Sequence, residues 1–435
     1  MNDIVCVEIM KKYLDRCIES RLKIKLASSG AVWIKGPKWC GKSTTAERFS
    51  KSFIFMQNRK ERDQNIALAK NAPDLFLEGE TPKLIDEWQV IPFIWDDIRY
   101  EIDKRDAFGQ FILTGSATPL TTKDEMLKQH SGVGRISSLV MRPMSLYESL
   151  DSNGSISLSD LFFHECVKPA KCEKTLMDYA QFACRGGWPK SIGEPEEISN
   201  EIAKNYYDGL VENDINSVDA VSRDTGKVKA FMRSYARNVS TQCSVETIVA
   251  DIKEHDNTSI SDETVNSYIK AFERLYVIED IKAWSPNLRS KTTIRTSPTR
   301  HFIDPSIACR ALGAYKDDLI GDLRTFGLIF EDMAVRDLKI YADKIGGEVY
   351  HYRDRNGLES DAIIHLENGK WAAFEIKLCD SERIEEGANN LLRLSNLIDE
   401  QKMKKPEFLM VITATKYAYQ REDGVWVVPL ACLKD

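Results

Sequence analysis

The chain alternates between short, wholly apolar runs and longer stretches in which apolar residues recur every three or four positions. Ala31-Val32-Trp33-Ile34, Leu84-Ile85 and Phe111-Ile112-Leu113 read as buried strands. Between them, the residues after Ser43 and the segment 92–99 place their apolar side chains on one helical face. Buried strands separated by helices predict a parallel sheet covered on both sides, with ligands beyond the carboxyl ends of the strands. From Leu161 to about Val218 the pattern is helical, after a polar stretch at 151–159 that reads as a linker. Ser244 and Ser261 each precede an amphipathic helix. With strand-like runs at 277–284 and 293–303, they predict a winged helix-turn-helix. Near Gly327 a further helix begins, followed by strands at 349–353, 359–366 and 371–377, the last two joined at Asn368-Gly369, a turn signal. The predicted units are 1–150, 151–218, 219–310 and 311–435.

Composition narrows the setting. The chain has 435 residues, 43% hydrophobic and 29% charged, as in an ordinary water-soluble protein. No apolar run approaches the ~20 residues of a membrane helix, and Met1-Asn2-Asp3-Ile4 lacks the basic start of a signal peptide. A cytoplasmic location is expected. The ten cysteines include no C-x-x-C pair and suit reduced thiols. A net charge of −7 argues against a broadly basic nucleic-acid surface, though not against a local basic groove.

The strongest chemical signal is Gly36-Pro37-Lys38-Trp39-Cys40-Gly41-Lys42-Ser43, which fits G-x-x-x-x-G-K-[ST] between a strand and a helix. Glycines at 36 and 41 permit backbone angles that let amides converge on an anion. The helix N-terminus at Ser43-Thr44 adds its dipole. Lys42 supplies a point charge for the β- and γ-phosphates of ATP, and the Ser43 hydroxyl suits Mg²⁺. Downstream, Asp86 and Glu87 end the second strand. Asp86 is expected to hold the metal and Glu87 to polarise the attacking water. Thr114, and after it Ser116, end a strand expected to lie between the phosphate loop and the acidic strand. Both suit sensing of the γ-phosphate, or capping of the next segment. The acidic pair favours water over an acceptor hydroxyl, hence hydrolysis over a small-molecule kinase reaction.

These motifs, with Gly134-Arg135, Arg142-Pro143-Met144-Ser145-Leu146-Tyr147-Glu148, Gly186-Gly187-Trp188-Pro189 and Ser297-Pro298-Thr299-Arg300-His301-Phe302-Ile303-Asp304, resemble a prokaryotic group of AAA-type ATPases that carry a C-terminal domain of unknown function. The resemblance implies a P-loop NTPase sheet followed by a helical lid. It also implies that Arg135 lies near the γ-phosphate, of its own site or of a neighbouring subunit's in an oligomer; the alternative is an arginine at the surface or a strand edge.

Two later regions bear on partners. In the winged-helix segment Arg289, Lys291, Arg295 and Arg300 surround a loop and suit phosphate contacts. The second helix carries Glu263 and Glu273 beside Lys270 and Arg274, so DNA contact and a protein-binding role both stay open. At the C-terminus, folding about Asn368-Gly369 brings Asp361 to Glu375 and Lys377, which face one side because they are two apart. Two carboxylates favour Mg²⁺, and a lysine beside them suits phosphodiester hydrolysis. Asp361, Glu375-Ile376-Lys377 and the helical acid Glu331 resemble the core of restriction-endonuclease-like nucleases. That resemblance implies a C-terminal α/β domain acting on DNA or RNA. The alternative is a catalytically silent module through which an ATP-driven switch docks a protein partner. His351 and Arg353 are expected to bind substrate or face solvent.

Overall fold

The computed structural model describes residues 13–115, 132–219, 221–256, 258–285, 297–401 and 403–435. Ser116, Arg289, Lys291 and Arg295 therefore lie outside the described residues.

Among those residues the N-terminal region forms a five-stranded sheet of β1 (Ala31–Lys35), β2 (Ser52–Phe55), β3 (Lys83–Asp86), β4 (Phe111–Gly115) and β5 (Ile136–Val140). All pairings are parallel, in the order β2-β3-β4-β1-β5. Strands β3 and β4 are buried along their whole length, which is why their sequences are continuous apolar runs and do not alternate. β4 lies between β1 and β3, the position expected from its sequence. Register pairs Lys35 with both Gly115 and Val140, so the phosphate loop and Thr114 emerge at one edge of the sheet.

The middle region is helical. Its helices start where capping residues supply an acceptor for the exposed amides: Thr175 for Leu176–Arg185, Ser244 for Val245–His255 and Ser261 for Asp262–Arg274. Helix Glu196–Gly209 runs into a π-helical turn, Leu210–Asp214. Among the described residues, the segments expected to form the wing meet in antiparallel bridges, Ile278 to Phe302 and Ile281 to Thr299.

Residues 151–159 are not a free linker. They include β6 (Ile156–Ser157), which pairs with Leu433–Lys434 at the far end of the chain. Next, β7 (Ala170–Lys171) joins the edge of the C-terminal sheet. That sheet adds β8 (Gly347–Arg353), β9 (Glu359–Leu366), β10 (Trp371–Ile376), β11 (Leu409–Thr413), β12 (Tyr417–Gln420) and β13 (Trp426–Pro429), in the order β7-β12-β13-β11-β10-β9-β8. β8, β9 and β10 form an antiparallel meander, and β10 pairs in parallel with β11. Alternate residues serve opposite faces: Ile364 and Phe374 join the core of helix Leu323–Ile345, whereas Ile363 and Ala373 pack with Ile384 and Leu391 of helix Ser381–Leu397.

Candidate functional site

The phosphate loop leaves β1 at Gly36, whose φ is 145°. A Cβ there would lie 2.1 Å from the Met141 carbonyl oxygen, so no other residue fits. Gly41, at φ 100°, opens helix Lys42–Phe49. Lys42 is buried, and its Nζ donates to the carbonyls of Gly36 (3.0 Å) and Pro37 (2.6 Å). The Ser43 hydroxyl donates to Asp86 Oδ1 at 2.6 Å, and Thr114 Oγ1 donates to the same oxygen. Thr114 in turn accepts from the Glu87 amide at 3.3 Å. Thus Ser43, Asp86, Glu87 and Thr114, taken from three separate segments, converge beneath the loop. Glu87 sits in the left-handed region at φ 57°, and the Gln89 side-chain amide donates to its carboxylate.

The loop's variable residues face the helical region. Lys38 pairs with Asp214 at 2.6 Å, and the Trp39 ring lies 6.1 Å from that of Tyr206. Cys40 is buried, and its carbonyl accepts from Arg16 Nη1 at 2.8 Å. Thr44 borders a cavity of about 720 Å³ that Tyr13, Arg16, Thr45, Met144, Arg185 and Lys190 also line. Tyr13, Arg16, Arg185 and Lys190 carried no motif of their own. For Arg185 and Lys190 the one signal was Gly186-Gly187-Trp188-Pro189, which they flank; Tyr13 and Arg16 had none. Tyr13 joins the wall through a 2.9 Å hydrogen bond with Thr45, 32 positions away.

Arg135 does not join this site in its own chain. Its carbonyl accepts from the Ala31 amide at the start of β1, whereas the phosphate loop follows the end of that strand. At ~3.3 Å per residue the two points are about 13 Å apart along the strand. The guanidinium is partly exposed and pairs with Asp103 at 2.6 Å. Arg300 is likewise not a phosphate contact: it is buried, with Nη1 on Asp280 at 2.5 Å and Nε on the Cys243 carbonyl at 3.0 Å. Nor does His351 face solvent. It is buried between the Gln242 side chain and the Ser297 carbonyl. Arg353 pairs with Glu359 at 3.5 Å.

In the C-terminal sheet, Asp361 and Glu375 lie one step beyond the Ala362–Phe374 pair of β9 and β10. Lys377 Nζ stands 3.1 Å from Asp361 Oδ2 and 2.6 Å from Glu375 Oε2. The Ile376 amide donates to Asp361 at 2.7 Å. Glu375 is buried and its Oε1 has no hydrogen-bond partner. Gly387 of the covering helix leaves room for it, since a Cβ there would come 3.2 Å from the Glu375 Cβ. Burial, then repulsion from Asp361, pushes the carboxyls of both Glu331 and Glu375 well above the usual carboxylate range. Burial alone would lower the Lys377 ammonium, but Asp361 and Glu375 outweigh it and hold the group protonated. The three-acid metal cage expected of Glu331, Asp361 and Glu375 is not formed, however. Among the described residues no group of three or more His, Cys, Asp or Glu is arranged to hold a metal ion. The Lys377 ammonium instead bridges Asp361 and Glu375.

No helix among the described residues is long and apolar enough to cross a membrane. Residues 28–150 match the family of an AAA domain, residues 176–318 a domain of unknown function (DUF8612), and residues 326–433 another (DUF4143). The second match runs across the boundary expected at 218–219. The chain is 24% identical over 291 residues to an uncharacterized protein of Methanocaldococcus jannaschii, covering 62% of this chain and 60% of that one. It is 22% identical over 278 residues to an uncharacterized protein of Haemophilus influenzae, covering 63% and 62%. The matched segment thus spans under two thirds of the length of these relatives. Among solved structures, the replication initiator DnaA bound to AMPPCP and single-stranded DNA aligns with a TM-score of 0.24 and 12% identity, over 59% of this chain and 86% of that one. The Aeropyrum pernix ORC1 protein in complex with DNA aligns with a TM-score of 0.25 and 13% identity, over 70% and 92%. Superpositions this loose carry no weight for what the chain binds. From the matched segment and the phosphate loop within it, residues 28–150 are an AAA-type nucleotide-binding domain.

Proposed function

We propose that the chain is an ATP-hydrolysing switch coupled to a nuclease-like C-terminal module that acts on nucleic acid. The observation that carries the first half is the convergence of Ser43 and Thr114 on one oxygen of Asp86, directly below the phosphate loop. Lys42 would leave the Gly36 and Pro37 carbonyls for the phosphate oxygens, exchanging neutral acceptors for charged ones. The cavity beside Thr44 and Tyr13 would take the nucleoside. Glu87 would accept the proton of the attacking water, with Gln89 orienting its carboxylate. Thr114 would hold the Glu87 backbone in place. Mg²⁺ fits this donor set: the Ser43 hydroxyl and Asp86 carboxylate are hard oxygens 2.6 Å apart. When bound, the ion would neutralise charge on the phosphates. Arg135 would contribute only from a second copy of the chain. Calorimetry with MgATP, followed by phosphate release without an added acceptor, tests this reading. Absence of binding to folded protein would refute it.

For the C-terminal half, the order helix, three-strand meander, helix and parallel strand supports a restriction-endonuclease-like fold. Asp361 and Glu375 are the carboxylates that would hold a divalent cation. The unpartnered Glu375 Oε1 fits one in donor type, and a divalent charge there would favour the ionised form of the Glu375 carboxyl. Lys377 would then stabilise charge on a phosphodiester. One observation favours a second reading, a silent docking module: the ammonium already bridges Asp361 and Glu375, and no three-acid cage is formed among the described residues. Incubation with Mg²⁺ or Mn²⁺ and single- or double-stranded DNA or RNA separates them. Cleavage lost in Lys377→Ala supports a nuclease, whereas metal binding without cleavage of any polymer supports docking.

A further inference from the structure

We infer that occupancy of the phosphate loop is transmitted to the C-terminal acidic cluster through a relay of side chains ending on the buried Arg336, so that nucleotide regulates that cluster. This rests on the reading that the loop binds a nucleoside triphosphate. The relay begins with two of the four loop residues that the phosphate motif itself leaves free to vary. Lys38 is held by Asp214 at the π-helical turn, a helix irregularity that often marks a functional position. Beside it, Trp39 approaches Tyr206, and Tyr206 packs on Trp188 with ring centroids 4.0 Å apart. A polyanion arriving in the loop competes with Asp214 for Lys38 and displaces the neighbouring ring.

From Trp188 the path is polar and buried. Its Nε1 donates to Ser306 Oγ at 2.9 Å, and Ser306 Oγ donates to Asp304 Oδ1 at 2.6 Å. The other oxygen of Asp304 accepts from the Gly187 amide (2.9 Å) and from Arg336 Nη1 (3.0 Å). Arg336 sits on helix Leu323–Ile345, which also carries Glu331. Two further tethers bind that helix to the nucleotide domain just past β5. Asp337 accepts from the Leu146 amide at 3.0 Å, and Asp343 pairs with Arg142. The Arg142 carbonyl in turn accepts from Arg16, which also holds the loop at Cys40. Motifs that nucleotide chemistry leaves unused, at 142–148, 186–189 and 297–304, therefore lie along this connection. A buried charged node with every tether made has discrete arrangements and not a continuum, which is what a switch needs.

Hydrogen exchange of the full chain, with and without a non-hydrolysable ATP analogue, tests the relay, with calorimetry reporting binding separately. In the native chain, analogue binding is expected to change protection in peptides covering 323–345 and 359–377. In Asp304→Asn the analogue should bind with unchanged affinity while that remote change is lost. The substitution keeps an N-cap acceptor for helix Pro305–Leu312 but replaces the oxygen that accepts from Arg336 and the Gly187 amide with a donor, breaking the relay at that node. Trp188→Phe, which keeps the ring on Tyr206 but removes the Nε1 donor, provides a second break and should weaken the remote change. Binding without any remote change in the native chain, or a remote change that persists in both variants, overturns the relay but not nucleotide binding. Absence of binding overturns both.

Discussion

Replacing Glu279 with glutamine isolates the electrostatic part of the domain junction. Arg142 grips Glu279 with two donors, Nη2 to Oε1 at 2.5 Å and Nε to Oε2 at 2.7 Å, and Lys339 stands 3.6 Å from Oε2. Burial alone would raise the carboxyl, but Arg142 and then Lys339 outweigh it and hold it at about 2, against an ordinary 4.5. That drop of about 2.5 pH units, at ~1.36 kcal/mol each, corresponds to about 3.4 kcal/mol of differential interaction. The side chain is 25% exposed, and solvent screening reduces the expected contribution to about 2–3 kcal/mol. Because the folded value lies below the unfolded one, the stabilisation is complete above pH 4.5 and is lost as pH falls toward 2. Glutamine keeps the shape and loses the charge. E279Q should therefore be less stable by about 2–3 kcal/mol at pH 7, with the gap roughly 2 kcal/mol narrower at pH 3. Urea denaturation followed by circular dichroism, in steps from pH 7 to pH 3, measures the gap while titrations common to both proteins cancel. A gap that stays constant across that range would show that shape, not charge, holds the junction and would refute the reasoning.

Three further substitutions address the nucleotide site. Lys42→Ala removes the ammonium that would pass from the loop carbonyls to the phosphates. At ~1.5–3 kcal/mol per charge-assisted hydrogen bond, ATP affinity should fall at least about tenfold and phosphate release should cease, as calorimetry and a phosphate assay would register. Glu87→Gln should bind ATP normally but hydrolyse it about 10²-fold or more slowly, and equal turnover would remove Glu87 from the proton transfer. Gly36→Ala places a methyl group 2.1 Å from the Met141 carbonyl oxygen at a φ of 145°. It should abolish ATP binding, and undiminished binding would contradict this loop geometry.

Much of the nucleotide site was legible in the chain because its determinants are local. Gly36, Gly41, Lys42 and Ser43 specify a loop through backbone freedom and charge within a few residues, and the continuous apolar runs of β3 and β4 announce strands buried on both faces. The capping serines at 244 and 261, and the Asn368-Gly369 turn that aligns Asp361 with Glu375, were equally readable. Other features depend on which segments meet. Nothing near Arg135 tells which end of β5 it occupies relative to the loop, and the parallel register places it at the wrong end for its own site. Arg300 and His351 look like surface polar residues until Asp280, Gln242 and Ser297 are packed around them. The polar segment at 151–159 becomes structural because the chain's last strand pairs with it from some 280 residues away. Short-range backbone preferences and periodicity are written into neighbouring residues, so the sequence by itself determined the strands, caps and phosphate loop. Partners for buried charges and for lone strands are chosen only when distant segments exclude water together, so tertiary structure alone decided the cavity wall, the Arg142 and Arg336 junctions and the lysine between the C-terminal acids.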